Sequence, residues 1–248
     1  MGCAMVPDMD RGLYVAATGM LAEMDRQNNL SNNLANLSTP GYKADYTTQR
    51  QFAQLLWNNR SNGQDIGAWG VGPVTSSVSN MNQGALQQTG NKYDLAIEGN
   101  GFFEVRTPQG VRYTRNGAFT VNAQGNLVNA QGYQVLSTTG AALKVGGGNN
   151  FQVNTDGNVF RDGVLVGRIA VVNLNNPQKV DGSLWNGQAG GQAAGSLVRQ
   201  SQLEDSNTNP INTIVEITAS QRAFDAGQRV LRSIDDNLAI AAKIAQVS

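Results

Sequence analysis

Carboxylate pairs are where acid–base chemistry can be sought in this sequence, which contains no histidine and a single cysteine. A Ser/His/Asp triad, a Cys/His dyad, a histidine-ligated metal and a cysteine zinc cluster are therefore excluded. The carboxylates of the central region are Asp94, Glu98, Glu104, Asp156 and Asp162. Asp94 and Glu98 share strand parity, but the Gly-rich turn beside them leaves their geometry open. We interpret all five as solvated surface groups and predict no catalytic residue.

Two short motifs suggest ligand loops but lack the residues that such loops need. Asp156-x-Asn158 and the Asp162 turn resemble part of a calcium loop, yet the twelve-residue spacing and the terminal glutamate are absent. Glycines 146–148 lack the lysine and the strand–loop–helix setting of a phosphate loop. The sequence therefore predicts no metal site and no cofactor.

The charge balance argues against several binding classes. Lys+Arg and Asp+Glu number 18 each in 248 residues, so the formal net charge is zero. Without a basic excess to neutralise phosphates, nucleic-acid binding is not expected. No apolar run approaches the roughly 18 residues that suggest a transmembrane helix, so membrane insertion is not expected. A net charge near zero gives little protection against self-association, which is either a hazard for this chain or its purpose.

A run of asparagines marks a candidate binding face. Asn29, Asn32, Asn33 and Asn36 follow an i, i+3, i+4, i+7 pattern and so share one face of a helix. Asparagine is a poor helix former, so this face lowers the stability of the helix. Two interpretations remain open: a ladder of amide hydrogen bonds to neighbouring subunits, or a solvated and frayed helix end.

An amphipathic helix is predicted near the N-terminus. We assign residues 1–8 to a tag or upstream extension and residues 9–40 to this helix, which Thr39-Pro40-Gly41 ends because proline cannot continue a helix. Its apolar seam consists of Leu13, Ala17, Met20, Met24 and Leu34.

A second amphipathic helix is predicted within residues 201–248. Asn209-Pro210 is a good start, because asparagine caps a helix and proline fits its first position. Apolar and small residues then recur with heptad spacing. The seam consists of Ile217, Ser220, Phe224, Gly227, Leu231, Ile234, Leu238, Ala241 and Ala245. Because each terminal helix has an apolar stripe to bury, we expect the two helices to pair and the pair to pack against copies of itself.

Between the helices, the sequence predicts an all-β domain over residues 86–200. Short alternating segments are separated by turns such as Asn100-Gly101 and Asn116-Gly117, the pattern of small hairpins. Residues 41–85 are polar and Gly-rich, and we expect an extended, poorly packed connector there. The predicted fold class is mainly β with terminal helices: an all-β central domain flanked by long N- and C-terminal α-helices that pair as a coiled coil.

The segment after Asn100-Gly101 predicts a partly buried strand. Side chains alternate between the two faces of a strand, so Phe102 and Phe103 point to opposite sides. We expect at least one of these two phenylalanines to lie in the core of the β domain.

Four ordered motifs resemble those of bacterial flagellar rod and hook proteins. They are SNNLANLSTPGYK (31–43), YDLAIEGNGFFEV (93–105), YTRNGAF (113–119) and SQRAFD (220–225). The residues that match the family's central motif are Asp94, Leu95, Ile97, Gly99, Gly101, Phe102 and Phe103.

The resemblance implies a structural protein without enzymatic activity: an axial subunit of the flagellar basal body that stacks helically into the rod, part of the drive shaft. Its implied partners are copies of itself, other flagellar rod and hook proteins and the flagellar type III export apparatus. Its implied location is the basal body outside the cytoplasmic membrane, in the periplasm or cell-wall zone, reached without a cleaved signal peptide.

The resemblance also implies an assembly interface on the terminal helices, which would form an inner coiled-coil layer. The residues predicted for this interface are Leu13, Met20, Met24, Asn29, Asn33, Leu34, Asn36, Ile217, Phe224, Gly227, Leu231, Ile234 and Leu238.

Other interpretations differ in subtype or in class. Within the family, the proximal-rod and distal-rod types fit, and so do the rod or hook-basal-body proteins of Gram-positive flagella. The alternative assembly function is a hook-like or phage-tail-like secreted module. The alternative from another class is a secreted β-rich hydrolase acting on glycans, which would need a carboxylate pair in a cleft that nothing in the sequence indicates.

Overall fold

Two helices and a series of short strands make up the described part of the chain. The computed structural model describes residues 6–50, 74–146, 150–193 and 195–247. Helix α1 spans Val6–Ala35 and helix α2 spans Pro210–Val247. The strands are β1 (Asp45–Arg50), β2 (Val74–Ser79), β3 (Leu86–Gln88), β4 (Leu95–Glu98), β5 (Phe102–Thr107), β6 (Gly110–Thr114), β7 (Thr120–Val121), β8 (Leu127–Val128), β9 (Gln134–Val135), β10 (Phe151–Val153), β11 (Asn158–Arg161), β12 (Val164–Arg168), β13 (Val171–Asp181), β14 (Leu184–Gln192), β15 (Leu197–Gln200) and β16 (Gln202–Glu204).

These elements form two compact units. The helical unit contains, in its described parts, residues 6–34, 45–50, 74–79 and 209–247. The β unit contains the described parts of residues 35–44 and 80–208.

The predicted start of the second helix is confirmed by its hydrogen bonds. The backbone N–H of Asn212 donates to the side-chain oxygen of Asn209 at 3.1 Å, and Pro210 is the first helical residue. Asparagine at the cap and proline at the first position suit a helix start, because proline lacks the N–H that would otherwise be unsatisfied there.

The predicted coiled coil is wrong. The fold is mainly β with a barrel-like sheet, and α1 and α2 meet in the helical unit through small and polar residues. Ser220 Oγ donates to Glu23 Oε2 at 2.7 Å, and a Cβ on Gly227 would come within 2.8 Å of Met20 Cγ. A coiled coil needs large apolar side chains that fill holes between four residues of the partner helix. Phe224 and Leu231 remain only half-buried, so the helices do not interlock in this way.

The predicted connector contains a hairpin that the sequence interpretation did not anticipate. Strands β1 and β2 pair antiparallel, with Asp45 opposite Ser79 and Arg50 opposite Val74. The residues between them, 51–73, lie outside the described part of the chain. Two asparagines of α1 bind this hairpin: Asn29 Nδ2 donates to Thr47 Oγ1 at 2.7 Å, and the Asn33 amide both donates to and accepts from the backbone of Asp45.

In the β unit, the largest sheet closes partly on itself. Its strand order is β13-β14-β6-β5-β9-β8-β7, and β13 also pairs with β5. Strands β13, β14, β6 and β5 therefore form a closed ring. The remaining strands form a three-stranded sheet, β10-β11-β12, and two small pairs, β15 with β4 and β16 with β3.

Phe102 and Phe103 enter two different apolar clusters, which confirms that at least one of them is a core residue. Phe103 is fully buried and packs edge-on against Phe119, with ring centroids 5.3 Å apart. Phe102 packs near Trp185 in a smaller cluster, with ring centroids 5.8 Å apart. Because successive strand residues face opposite sides, one dipeptide anchors both clusters.

Gly117 is required for a close approach between two backbone segments. The sequence suggested a turn glycine at Asn116-Gly117, but Gly117 is not among the glycines with positive φ. A Cβ at this position would lie 1.5 Å from the carbonyl oxygen of Leu95, whose own N–H bonds to the Gly117 carbonyl at 3.0 Å. Only glycine leaves room for strand β4 here.

We expect Gly117→Ala to destabilise the β unit by about 3 kcal/mol, the upper end of the range for overpacking, because backbone must move. The matched control is Gly132→Ala, where φ is +83° and no atom lies near the added methyl group. That variant should cost only about 1–2 kcal/mol for its left-handed backbone. Denaturant unfolding measures both, and a larger loss for Gly132→Ala would contradict the close-approach argument.

Candidate assembly interface

Exposed apolar side chains form two separate patches on the outer sides of the helices. The α2 patch consists of Ile211, Ile214 and Val215, which are 72%, 53% and 63% exposed. The α1 patch consists of Leu21 and Met24, which are 60% and 46% exposed. The residues of each patch are three or four positions apart or adjacent, so each patch covers one side of its helix. Large apolar groups grouped in this way are typical of surfaces that bind another protein.

A buried ion cluster in the β unit joins three distant parts of the sequence. Glu204, at the end of β16, accepts hydrogen bonds from Lys43 Nζ at 2.5 Å and from Arg115 Nη1 at 2.9 Å. All three side chains are buried: those of Glu204 and Lys43 are 1% exposed, and that of Arg115 is 4% exposed. We call these three residues the junction cluster. It contains two cations and one carboxylate, so its charge is not balanced.

Further hydrogen bonds complete the junction cluster. Lys43 Nζ donates to the carbonyl of Asn82 at 2.7 Å, and Arg115 Nη2 donates to the carbonyl of Gly99 at 2.6 Å. Arg115 also lies over the ring of Phe102, 5.5 Å from its centroid. These neutral acceptors and the aromatic face compensate part of the excess positive charge.

Desolvation dominates the electrostatics of both buried cations. Burial lowers the pKa of Lys43 and the pKa of Arg115, and the negative charge of Glu204 opposes this effect in each case. The direction means that the folded state binds protons at these two groups less readily than the unfolded chain. Glu204 is therefore the partner that makes their burial tolerable.

The interpretation of all five central carboxylates as solvated surface groups is wrong for Asp94, which is buried. Three of the five serve as structural partners. The Asp94 oxygens accept hydrogen bonds from Thr89 Oγ1 and Asn91 Nδ2, and Glu98 forms an exposed ion pair with Arg199 at 2.7 Å. Asp162 accepts from the backbone N–H of Asn150 at 3.0 Å. Within the described ranges, no three metal-binding side chains come together, and neither helix has the length and apolar character needed to span a membrane.

Glu104 is a half-buried carboxylate on strand β5. Desolvation raises the pKa of Glu104 above its ordinary value of 4.5, so the folded state binds this proton more tightly than the unfolded chain. The contribution of Glu104 to stability is therefore fully present below the ordinary pKa and is lost as pH rises through the folded pKa.

We accordingly expect Glu104→Gln to match the wild type in stability below pH 4 and to exceed it at pH 7. The gain should be roughly a few tenths of a kcal/mol, because solvent screens a partly exposed carboxylate. Thermal unfolding of both proteins between pH 3 and pH 8 measures the difference. A gain that is largest at acid pH would contradict the assigned direction.

Models of three flagellar protein families match successive parts of the chain. The model described as "Flagella basal body rod protein" matches residues 13–43. The model for the FlgE/F/G D1 domain of the flagellar hook protein matches residues 96–161. The model for the C-terminal region of the flagellar basal body rod FlgEFG proteins matches residues 199–244.

Curated relatives are similar over nearly their whole length. The flagellar basal-body rod protein FlgG of Agrobacterium fabrum is 31% identical, and the match covers 94% of this chain and 98% of that protein. The rod protein FlgF of Rhizobium meliloti is also 31% identical, over 93% of this chain and 95% of the relative. FlgG of Bacillus subtilis is 28% identical over 93% of this chain.

This chain belongs to the flagellar basal-body rod protein family. It is a structural rod protein of the bacterial flagellum, located in the basal body and assembled with other flagellar rod and hook proteins. The resemblance drawn from the four sequence motifs is thereby confirmed. FlgG and FlgF relatives match equally well, so the comparisons leave both rod types as relatives.

The rod-family motif of the β unit consists mainly of buried residues. Asp94, Leu95, Ile97, Phe102 and Phe103 are all buried. Gly99 and Gly101 have φ values of +102° and +118°, a region that favours glycine. At Gly101 a Cβ would also come within 2.8 Å of Val171. These motif residues therefore stabilise the β unit rather than form its surface.

The helix residues predicted for the rod interface have different environments. Met24 is exposed and Asn33 is buried against β1, while the side chains of Leu13 and Leu238 lie outside the described part. The half-buried members are Met20, Asn29, Leu34, Asn36, Ile217, Phe224, Gly227, Leu231 and Ile234. The structure thus uses two of the predicted interface asparagines, Asn29 and Asn33, inside the chain itself.

Sequence reasoning missed the junction cluster. Lys43 and Arg115 both lie in motifs that were singled out, at the end of the first and inside the third. Glu204 lies in none of them, and 161 positions separate it from Lys43. No local signal pointed to Glu204, since Asp45 lies only two positions from Lys43 and would have been the nearer candidate partner.

Proposed function

We infer that this rod protein assembles with copies of itself through the α1 patch and the α2 patch. The observation that carries the inference is the exposure of five large apolar side chains on the helices of a protein whose relatives build the flagellar rod. Burying apolar surface in a neighbouring copy would release about 25 cal/mol per Å² of area removed from water.

The two patches favour an open helical assembly. They lie on different helices and contain different residues, so contact between the α1 patch of one copy and the α2 patch of the next is heterologous. Heterologous contacts repeat from copy to copy and produce either rings or helical filaments. A rod built from stacked subunits requires the second of these.

The proposal includes the route and the surroundings of the assembled chain. We place it outside the cytoplasmic membrane, in the periplasm or cell-wall zone, after passage through the flagellar type III export apparatus without removal of a signal peptide. Its function in the rod is structural and needs no catalysis, cofactor or nucleic acid. The zero net charge supports self-assembly without nucleic acid, because it favours contact between like subunits over binding to polyanions.

We expect Ile211→Asp combined with Val215→Asp to stop incorporation into the rod and abolish motility. Both side chains are exposed, so the free protein should melt normally, but assembly would have to desolvate two new charges. The measurements are motility, the amount of protein exported and the amount recovered in purified basal bodies.

The matched control for this experiment is Gln221→Asp, a charge placed at an exposed polar position of the same helix. Exported protein must be measured separately, since failed export would resemble failed assembly. Normal rods built from the exported double variant would refute assembly through the α2 patch.

A further inference from the structure

Two connecting segments of the chain meet at the junction cluster. Residues 41–44 follow the N-terminal helix, and residues 204–208 precede the C-terminal helix. Both segments belong to the β unit. The backbone N–H of Gly41 donates to the Glu204 carbonyl at 2.7 Å, and the N–H of Ala44 donates to the Asn207 side chain at 2.8 Å. The entering and leaving segments are therefore bound directly to each other.

Lys43 is the residue of the first segment whose burial depends on a charge in the second, although the segment also contacts other parts of the β unit, as where the Asn80 N–H donates to the Ala44 carbonyl at 2.8 Å. Lys43 is 1% exposed, and its carboxylate partner is Glu204 of the other segment. A lysine ammonium cannot be buried without such a partner, because the cost of removing it from water is several kcal/mol. The ring of Tyr42 and the carbonyl of Lys43 contact Lys179, but this adds a further cation rather than a negative charge.

Glu204 also binds the remaining sides of the junction. Its Oε1 accepts from the backbone N–H of Gly84 at 2.9 Å, and its Oε2 accepts from Arg115. One carboxylate therefore contacts the first connecting segment, the segment before β3 and the motif arginine. In the described part of the chain, no second acidic side chain forms an ion pair with Lys43 or Arg115.

We propose that Glu204 is a positioning residue that makes the docking of residues 41–44 and 204–208 on the β unit a single cooperative event. The first segment stays undocked until Glu204, 161 residues later than Lys43, is in place. A chain that folds while it emerges N-terminus first could therefore dock residues 41–44 only after residue 204 has emerged.

Hydrogen exchange of the full-length protein tests the coupling without reference to assembly. In Glu204→Gln, the amide of Ala44 should exchange at least about tenfold faster, the effect of losing one charge-assisted hydrogen bond. The Ala44 amide binds Asn207 and not Glu204, so its exchange reports coupling rather than a directly broken bond. The amides of Val105 and Val135, in the core strands, should keep their protection.

The matched control is Glu98→Gln, which removes a carboxylate from an exposed ion pair with Arg199 and should leave Ala44 unchanged. If Glu204→Gln does not fold, Glu204→Asp keeps the charge and shortens its reach, and the same amides are measured. Unchanged exchange at Ala44 overturns the proposal. Faster exchange that extends equally to Val105 also overturns it, because Glu204 would then stabilise the whole unit. Either result leaves the helix patches and the rod function untouched.

Discussion

Phe103→Ala is expected to lower the free energy of unfolding of the β unit by about 3–5 kcal/mol. The Phe103 ring is fully buried and lies in the main core with Leu95, Val105 and Phe119. Removing it deletes apolar contacts and leaves a cavity that the surrounding strands cannot easily fill, because their positions are fixed by backbone hydrogen bonds. A loss of this size is a large part of the stability of a typical domain.

Thermal and denaturant unfolding of the purified protein measure this effect. Val164→Ala is the matched control, since Val164 is a strand residue of the same unit that is 66% exposed. That variant should change stability by no more than about 0.5 kcal/mol. A Phe103→Ala protein with a normal melting transition would contradict the position of Phe103 in the core.

The second large effect is expected for Glu204→Leu, which keeps most of the side-chain volume and removes the charge. Lys43 and Arg115 would remain buried without a negative partner, and breaking a buried pair in this way costs about 3–5 kcal/mol. We expect this cost to appear as easier local opening of residues 41–44 and 204–208, while the core strands keep their stability. Lys43→Met should behave differently, because it leaves Arg115 and Glu204 as a balanced pair. We expect it to cost at most about 1 kcal/mol, since only neutral and charge-assisted bonds of one cation are lost.

This asymmetry is the decisive feature of the junction-cluster prediction. Free energies of local opening, measured by hydrogen exchange at the Ala44 amide in Glu204→Leu, Lys43→Met and the exposed control Glu98→Leu, give the order of the effects. The control should lose less than about 1 kcal/mol, as exposed ion pairs do. Equal losses for Glu204→Leu and Lys43→Met would mean that the cluster acts as a simple ion pair and that Arg115 does not depend on Glu204.

The family assignment gives these two predictions different consequences. Loss of Phe103 should reduce the fraction of folded β unit and with it the supply of rod subunits. Loss of Glu204 should instead loosen the docking of residues 41–44 and 204–208 on the β unit. Comparing export with rod incorporation for both variants therefore separates a folding defect from a defect in the finished subunit.

The sequence by itself determined the features that depend on short windows of residues. Asn209-Pro210 fixed the start of α2, because a cap and a first-turn proline act within four residues. The alternation at Phe102 and Phe103 placed the two rings on opposite strand faces, as the two apolar clusters show. The ordered motifs identified the flagellar rod and hook family, and the absence of histidine excluded whole classes of catalytic site.

The tertiary structure alone decided the features that depend on distant residues. Heptad spacing suggested a coiled coil, but α2 meets α1 through Ser220 and Gly227, which are too small to act as knobs. Gly117 looked like a turn glycine, and only the approach of Leu95 showed why it has no side chain. Lys43 needs Glu204 because the two side chains are buried together. They are 161 positions apart in the sequence, so no local pattern predicts that they meet. Short sequence patterns determine the backbone conformation of a segment and which of its faces is apolar. Which other segment it contacts is decided by packing in the folded protein and by the cost of burying a charge.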